Sequence, residues 1–157
     1  MVEVRKAEIG DMASIMKLLG EVLEVHAKLR PDLFKSGTTK YTEEALLKII
    51  ENSQTPVFVA EMPDKRIAGY AFCCIEAHPE SSNMHAIKTL YIDDICVDAS
   101  IRHQHVATTL FTFLKSYAQS IGCYDMTLNV WEGNDIARAF YEKMGMFVRK
   151  TQMEILI

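Results

Sequence analysis

A chain of 157 residues carries one domain with a core of its own and leaves little room for a second. Its residues are 49% apolar and 24% charged, a globular composition that excludes a disordered or fibrous chain. The formal charge of −4, with no basic stripe to offset it, argues against nucleic acid as the main partner.

The first residues, MVEVRKAEIGD, contain no apolar signal run, and no later stretch approaches a membrane span, so a cytoplasmic place without membrane attachment is expected. Val2 to Ala7 reads as a short strand. Asp11 is placed to cap a helix whose apolar stripe is Ile15, Leu18, Leu19, Val22, His26 and Leu29. Pro31 ends that helix, because the residue before a proline avoids helical geometry. After a polar loop over 31–40, Thr42 caps a second helix, Glu43 to Asn52. Two strands, Pro56 to Glu61 and Ile67 to Ile75, form a hairpin about the turn at Met62 to Lys65. Glu76 to Lys88 is polar and reads as a mobile loop. Cys73, Cys74, Cys96 and Cys123 have neither disulfide nor metal-ligand spacing and read as reduced packing residues, so no metal is expected.

The most informative stretch is 91–113, YIDDICVDASIRHQHVATTLFTF. Apolar residues through Val97 read as strand, and from Val106 onward positions 106, 110, 113, 114, 117 and 121 keep one helical face. A strand that enters a helix through a short loop directs unpaired N–H groups and the positive end of the helix dipole at one place, which suits a phosphate. A strand at Tyr124 to Trp131, a helix at Asp135 to Met144 stopped by Gly145, and a last strand at Phe147 to Ile157 complete the chain. The resulting order, β-α-α-β-β-β-α-β-α-β, is mixed α/β in one domain spanning 1–157.

Two motifs carry a family resemblance. Arg102-x-x-His105-x-Ala107 is similar to the pyrophosphate-binding signature Arg/Gln-x-x-Gly-x-Gly/Ala of the GNAT N-acetyltransferases, with histidine at the first glycine. Asn134 to Met146, NDIARAFYEKMGM, is similar to the Asn…Ala-x-x-Phe-Tyr-Glu-Lys-x-Gly-Phe segment of the same family. The resemblance covers most of the chain. It implies a mixed, mostly antiparallel sheet flanked by helices, with two central parallel strands, Leu90 to Val97 and Tyr124 to Trp131, splayed apart to admit the pantetheine arm of acetyl-CoA. It also implies transfer of acetyl to a primary amine of a small molecule or peptide, and frequent homodimers. The coenzyme contacts it implies are Ile95, Cys96, Val97, Arg102, His103, Gln104, His105, Val106, Ala107, Thr108, Asn134, Tyr141 and Lys143, with the N–H groups of Cys96 and Val97 polarising the thioester.

Each candidate also has a plain structural reading. His105 puts a side chain where backbone must approach a ligand closely; with negative φ its ring turns outward and the amide stays usable. Tyr141 is, by the resemblance, the general acid for the departing thiolate, and otherwise a core aromatic. A thiol titrates near 8.5 and a tyrosine near 10, so full proton transfer is uphill by about 2 kcal/mol unless the site retunes them. Asn134 also fits an N-cap and Lys143 a solvated helix face. Asp93 and Asp94 interrupt an apolar strand, which is costly unless each carboxylate is paired. Strand alternation sends them to opposite faces, so one at most meets a given pocket. The segment resembles the acidic run of polyamine-type acetyltransferases, which implies that Asp93 and Asp94 hold or deprotonate the amine. An ordinary aspartate is a poor base. Asp93 is therefore assigned first to attracting the cation and ordering a proton-relay water, and second to direct base catalysis. An alkyl ammonium with a pKa near 10.4 costs about 4.6 kcal/mol to deprotonate at pH 7. His26 and Phe34 occupy the stretch that lines the acceptor pocket in such enzymes. The alternative function is a non-catalytic acyl-CoA-binding module, suggested by His105.

Overall fold

The computed structural model describes residues 1–101 and 105–157. Five strands form one sheet in the order β1-β2-β3-β4-β5: Glu3–Lys6, Val57–Glu61, Ile67–His78, Ile87–Val97 and Asp125–Leu128. The first three junctions are antiparallel and the last, β4 with β5, is parallel. Helices α1 (Met12–Leu29) and α2 (Glu43–Glu51) cover one face; α3 (Val106–Ser120) and α4 (Asp135–Lys143) flank the other.

The sheet is buried on both sides because β2 from Val57 to Ala60 and most of β3 are apolar on both faces. On one face Ile15, Leu18 and Leu19 of α1 and Leu46 of α2 pack on Val57, Val59, Tyr70 and Phe72. On the other, Val106, Leu110, Phe111 and Leu114 of α3 pack on Phe58, Ala60, Ala71, Leu90 and Ile92. Thr42 caps α2 through its hydroxyl, which accepts from the N–H of Ala45. Helix α4 ends in a Schellman turn at Gly145 (φ 94°): the N–H of Met146 donates to the Tyr141 carbonyl and that of Gly145 to Glu142.

Several expectations need correction. The expected loop over 76–88 is shorter, because β3 runs on to His78 and β4 starts at Ile87, which leaves 79–86 outside the strands. The α1 stripe buries Leu23 and Ala27 instead of Val22 and His26. Asp11 does not cap α1 with its side chain. It closes a short 3₁₀ turn by accepting from the N–H of Glu8, and it receives both terminal nitrogens of Arg5, which also bonds Glu61. Strand β5 covers only Asp125–Leu128 of the expected 124–131. Residues 147–157 form no strand at all: no main-chain hydrogen bond ties them to other described residues.

Candidate functional site

The site is built by an irregularity in β4. Across the β3–β4 pair Phe72 faces Asp94 while the next residue, Cys73, faces Ile92, so Asp93 is an extra residue, a β-bulge. A bulge breaks strand alternation. Ile92 and Ile95 both face α3, and Asp93 and Asp94 both emerge on the α1–α2 side, where Tyr41 and Tyr70 pack. The Tyr41 hydroxyl donates to Asp93 and the Tyr70 hydroxyl donates to Asp94 at 3.1 Å. The expectation that the two acids face opposite ways is therefore wrong, because it assumed an unbroken strand.

The same bulge marks where the sheet opens. Strand β5 pairs with β4 only over Thr89–Ile92, and beyond that point β4 continues to Val97 against β3 alone. Parallel pairing that stops halfway leaves a gap between the second half of β4 and the chain beyond Leu128. This is where the splay that the resemblance implies would fall, and the bulge lies directly beside it.

Asp93 is bound twice. Besides Tyr41 it receives the Lys40 ammonium at 2.8 Å, and that ammonium also lies 3.4 Å from the Asp93 carbonyl oxygen. Asp94 stands differently. Burial pushes its carboxyl up to about 6, against the opposing pull of Lys40 and the Tyr70 hydrogen bond. Burial likewise raises Tyr141 well above an ordinary tyrosine, with Asp94 and Cys96 raising it further, so its ring lies close enough to the bulge to feel both. The ring packs on Phe111 and Phe140, with centroids 6.2 and 5.3 Å away, and its hydroxyl has no hydrogen-bond partner among the described residues. Tyr141 therefore keeps its proton at neutral pH and has a hydroxyl available to donate, within electrostatic reach of Asp94.

At the far side His26, Phe34 and Trp131 form an aromatic row: His26 to Phe34 at 5.2 Å, Phe34 edge-on to Trp131 at 5.3 Å. Burial, and then Lys40, lowers the His26 pKa, so the imidazole is neutral at pH 7. Lys40, bound to Asp93, thus also lies within electrostatic reach of His26. Tyr41, Tyr70, Lys40 and Trp131 were not picked out as site residues. A tyrosine inside the otherwise apolar IAGYAF run was the one visible signal, since a buried hydroxyl needs a partner.

Helix α3 starts at Val106 with His105 as N-cap at φ 59°, ψ 14°, and no side chain caps it. His105 thus holds the left-handed conformation a glycine would adopt, contrary to the negative φ expected. Its ring is nonetheless exposed, as the outward reading required. The first N–H groups of α3 have no intrahelical acceptor, which fits an anion there. Val106 is buried and Ala107 half-buried, so they can offer a ligand main chain only. Asn134 caps α4 by accepting from the Ala137 N–H at 3.3 Å, and Lys143 is exposed in its last turn. Arg102, His103 and Gln104 lie outside the described residues. A cleft of about 440 Å³ lined by Met1, Val2, Met62, Pro63, His105 and Thr109 abuts the α3 start but contains neither aspartate nor Tyr141. Among the described residues no helix is long and apolar enough to cross a membrane, and no group of His, Cys, Asp and Glu could hold a metal ion.

This arrangement has relatives. Residues 22–146 match the model of the acetyltransferase (GNAT) family, and the chain belongs to that family. It is 28% identical over 89 residues to the GCN5-related N-acetyltransferase 6, chloroplastic, of Arabidopsis thaliana; the match covers 57% of this chain and 29% of that protein. The crystal structure of a point mutant of the BH1408 protein from Bacillus halodurans superposes with a TM-score of 0.94 at 28% identity, over 99% of both chains. Glucosamine-6-phosphate N-acetyltransferase from Arabidopsis thaliana shares the fold, with a TM-score of 0.71 at 24% identity over 99% of this chain and 98% of that one.

Proposed function

We propose that this chain transfers the acetyl group of acetyl-CoA directly to a primary amine of a small molecule or peptide. The observation that supports the reading is the end of β4–β5 pairing beside the Asp93 bulge, with the buried Asp94 there and Tyr141 within electrostatic reach of it. The open N–H groups at 105–108 would hold the pyrophosphate, with Arg102, His103 and Gln104 preceding them and Asn134 and Lys143 flanking from α4. The β4 edge at Ile95, Cys96 and Val97 would line the pantetheine arm and polarise the thioester carbonyl.

The acceptor would enter between the His26–Phe34–Trp131 row and the bulge. Its ammonium would take the place beside Asp93 that Lys40 fills. A carboxyl titrating near 6 is a better proton acceptor than an ordinary aspartate, so Asp94 takes the amine proton, directly or through water. Attack forms the N–C bond, collapse breaks the C–S bond, and the leaving thiolate takes a hydrogen bond or a proton from Tyr141. The raised Tyr141 keeps its proton at neutral pH and so remains a donor. The non-catalytic alternative rests on His105 obstructing the loop, and the exposure of that residue favours the catalytic reading over it. A cytoplasmic location and a homodimer complete the reading.

The test is thiol release from acetyl-CoA with polyamine, aminoglycoside, amino-sugar and peptide acceptors. Tyr141→Phe should lower kcat on the best acceptor by about 10²-fold with the acetyl-CoA KM unchanged. Coenzyme binding without turnover on every acceptor would contradict the proposal.

A further inference from the structure

The place that the proposed reaction reserves for the acceptor ammonium already holds one. The Lys40 Nζ lies 2.8 Å from an Asp93 carboxylate oxygen and 3.4 Å from the Asp93 carbonyl oxygen. Lys40 stands in the stretch between α1 and α2, and its partner is 53 positions away on the β4 bulge. The ammonium also sits 5.5 Å from the centre of the Tyr41 ring, whose hydroxyl donates to the same carboxylate. Lys48 and Lys65 instead pair with acids four positions away, Glu44 and Glu61. Their side chains are 73% and 79% exposed, against 40% for Lys40.

The Lys40 amine is within electrostatic reach of Asp94, whose carboxyl it pulls down against the effect of burial. Tyr141 feels Asp94 in turn. One primary amine of the chain thus shares its surroundings with the proton acceptor and the proton donor of the proposed transfer.

We propose that Lys40 is itself an acceptor, so that the chain acetylates its own ε-amine from acetyl-CoA when no external amine displaces it. Self-transfer of this kind rests on the proposed function, because the reacting groups are the same. Asp94 takes one proton from the ammonium, and the freed nitrogen attacks the thioester carbon. The N–C bond forms, the C–S bond breaks, and a second nitrogen proton passes through the Tyr141 hydroxyl to the leaving sulphur. Asp94 then gives its proton to water, which leaves an N-acetyl-lysine, coenzyme A and one proton in solution. The lysine loses its charge in the step, and Asp93 loses that ion pair.

The test is mass spectrometry of the full chain incubated with acetyl-CoA and no added amine, with the marked lysines located in peptides. Lys40 should gain its acetyl group about ten times faster than Lys48 or Lys65, because a held amine outruns solvated ones. Uncatalysed labelling reverses that order, since Lys40 is less exposed and tied to a carboxylate. The rate constant should not change on dilution, because the amine and the site belong to one molecule. Asp94→Asn should slow the marking of Lys40 by about 10²-fold and leave that of Lys48 and Lys65 unchanged. The reference lysines sit in the parent chain, so the order of marking decides even if that variant folds poorly. Lys40 marked no faster than Lys48, at a rate that falls with dilution, or equally fast in Asp94→Asn overturns the proposal. External amines assayed alongside separate it from the reading beneath. Turnover of one of them with Lys40 unmarked overturns self-transfer alone, and transfer to neither overturns the proposed function as well.

Discussion

The first two-thirds of the chain and the last third are built to different standards. From β1 through α3, nearly every inward side chain is buried: Ile15, Leu19, Leu46, Val59, Tyr70, Leu90, Leu110 and Leu114 are completely inaccessible. From β5 onward no residue is: β5 is half-buried throughout, α4 has no buried position, and Ile136 and Phe147 are exposed. The contrast teaches where the molecule relies on something outside its own chain. The first part closes upon itself, whereas the second leaves apolar side chains in water, and the proposed reaction sits at the seam where β5 leaves β4.

The seam can be tested from both sides. Leu110→Ala, in the closed part, should cost about 2–5 kcal/mol in urea unfolding, because the surroundings cannot collapse into the space. A loss below about 1 kcal/mol would mean the body is looser than described. His105→Gly should stabilise by about 1 kcal/mol, since glycine accepts the φ of 59° that a histidine holds only under strain; a loss of stability would contradict the left-handed cap. Ile136→Ala on α4 should change stability by less than about 0.5 kcal/mol in the free protein, because its side chain is already in water. A large loss there would erase the contrast.

Much of the fold was legible because periodicity and capping chemistry are local. The strand–loop–helix of 91–113, the Thr42 cap and the Gly145 stop all follow from neighbouring residues. The site was legible only in composition. Asp93 and Asp94 were visible as misplaced acids, but the face they share is set by a bulge against Phe72 and Cys73, and that pairing is remote in sequence. Lys40 and Tyr41 reach Asp93 across 53 and 52 positions of sequence, which no local pattern signals. The tail was read as a strand from its apolar content, and the content is indeed strand-like. What sequence could not show is that its backbone pairs with no strand among the described residues.

The proposed reaction depends most heavily on Asp94 as the proton acceptor of acetyl transfer. The direct measurement is kcat/KM for the best amine from about pH 5 to 8, in the parent chain and in Asp94→Asn. Because the Asp94 pKa is raised to about 6, its ionised form is the active one and the acceptor binds as its ammonium, the parent rate should climb as pH passes about 6 and level above it. In Asp94→Asn that step should vanish and the plateau should fall by about 10²-fold. A variant that keeps both the step and the rate would contradict that role.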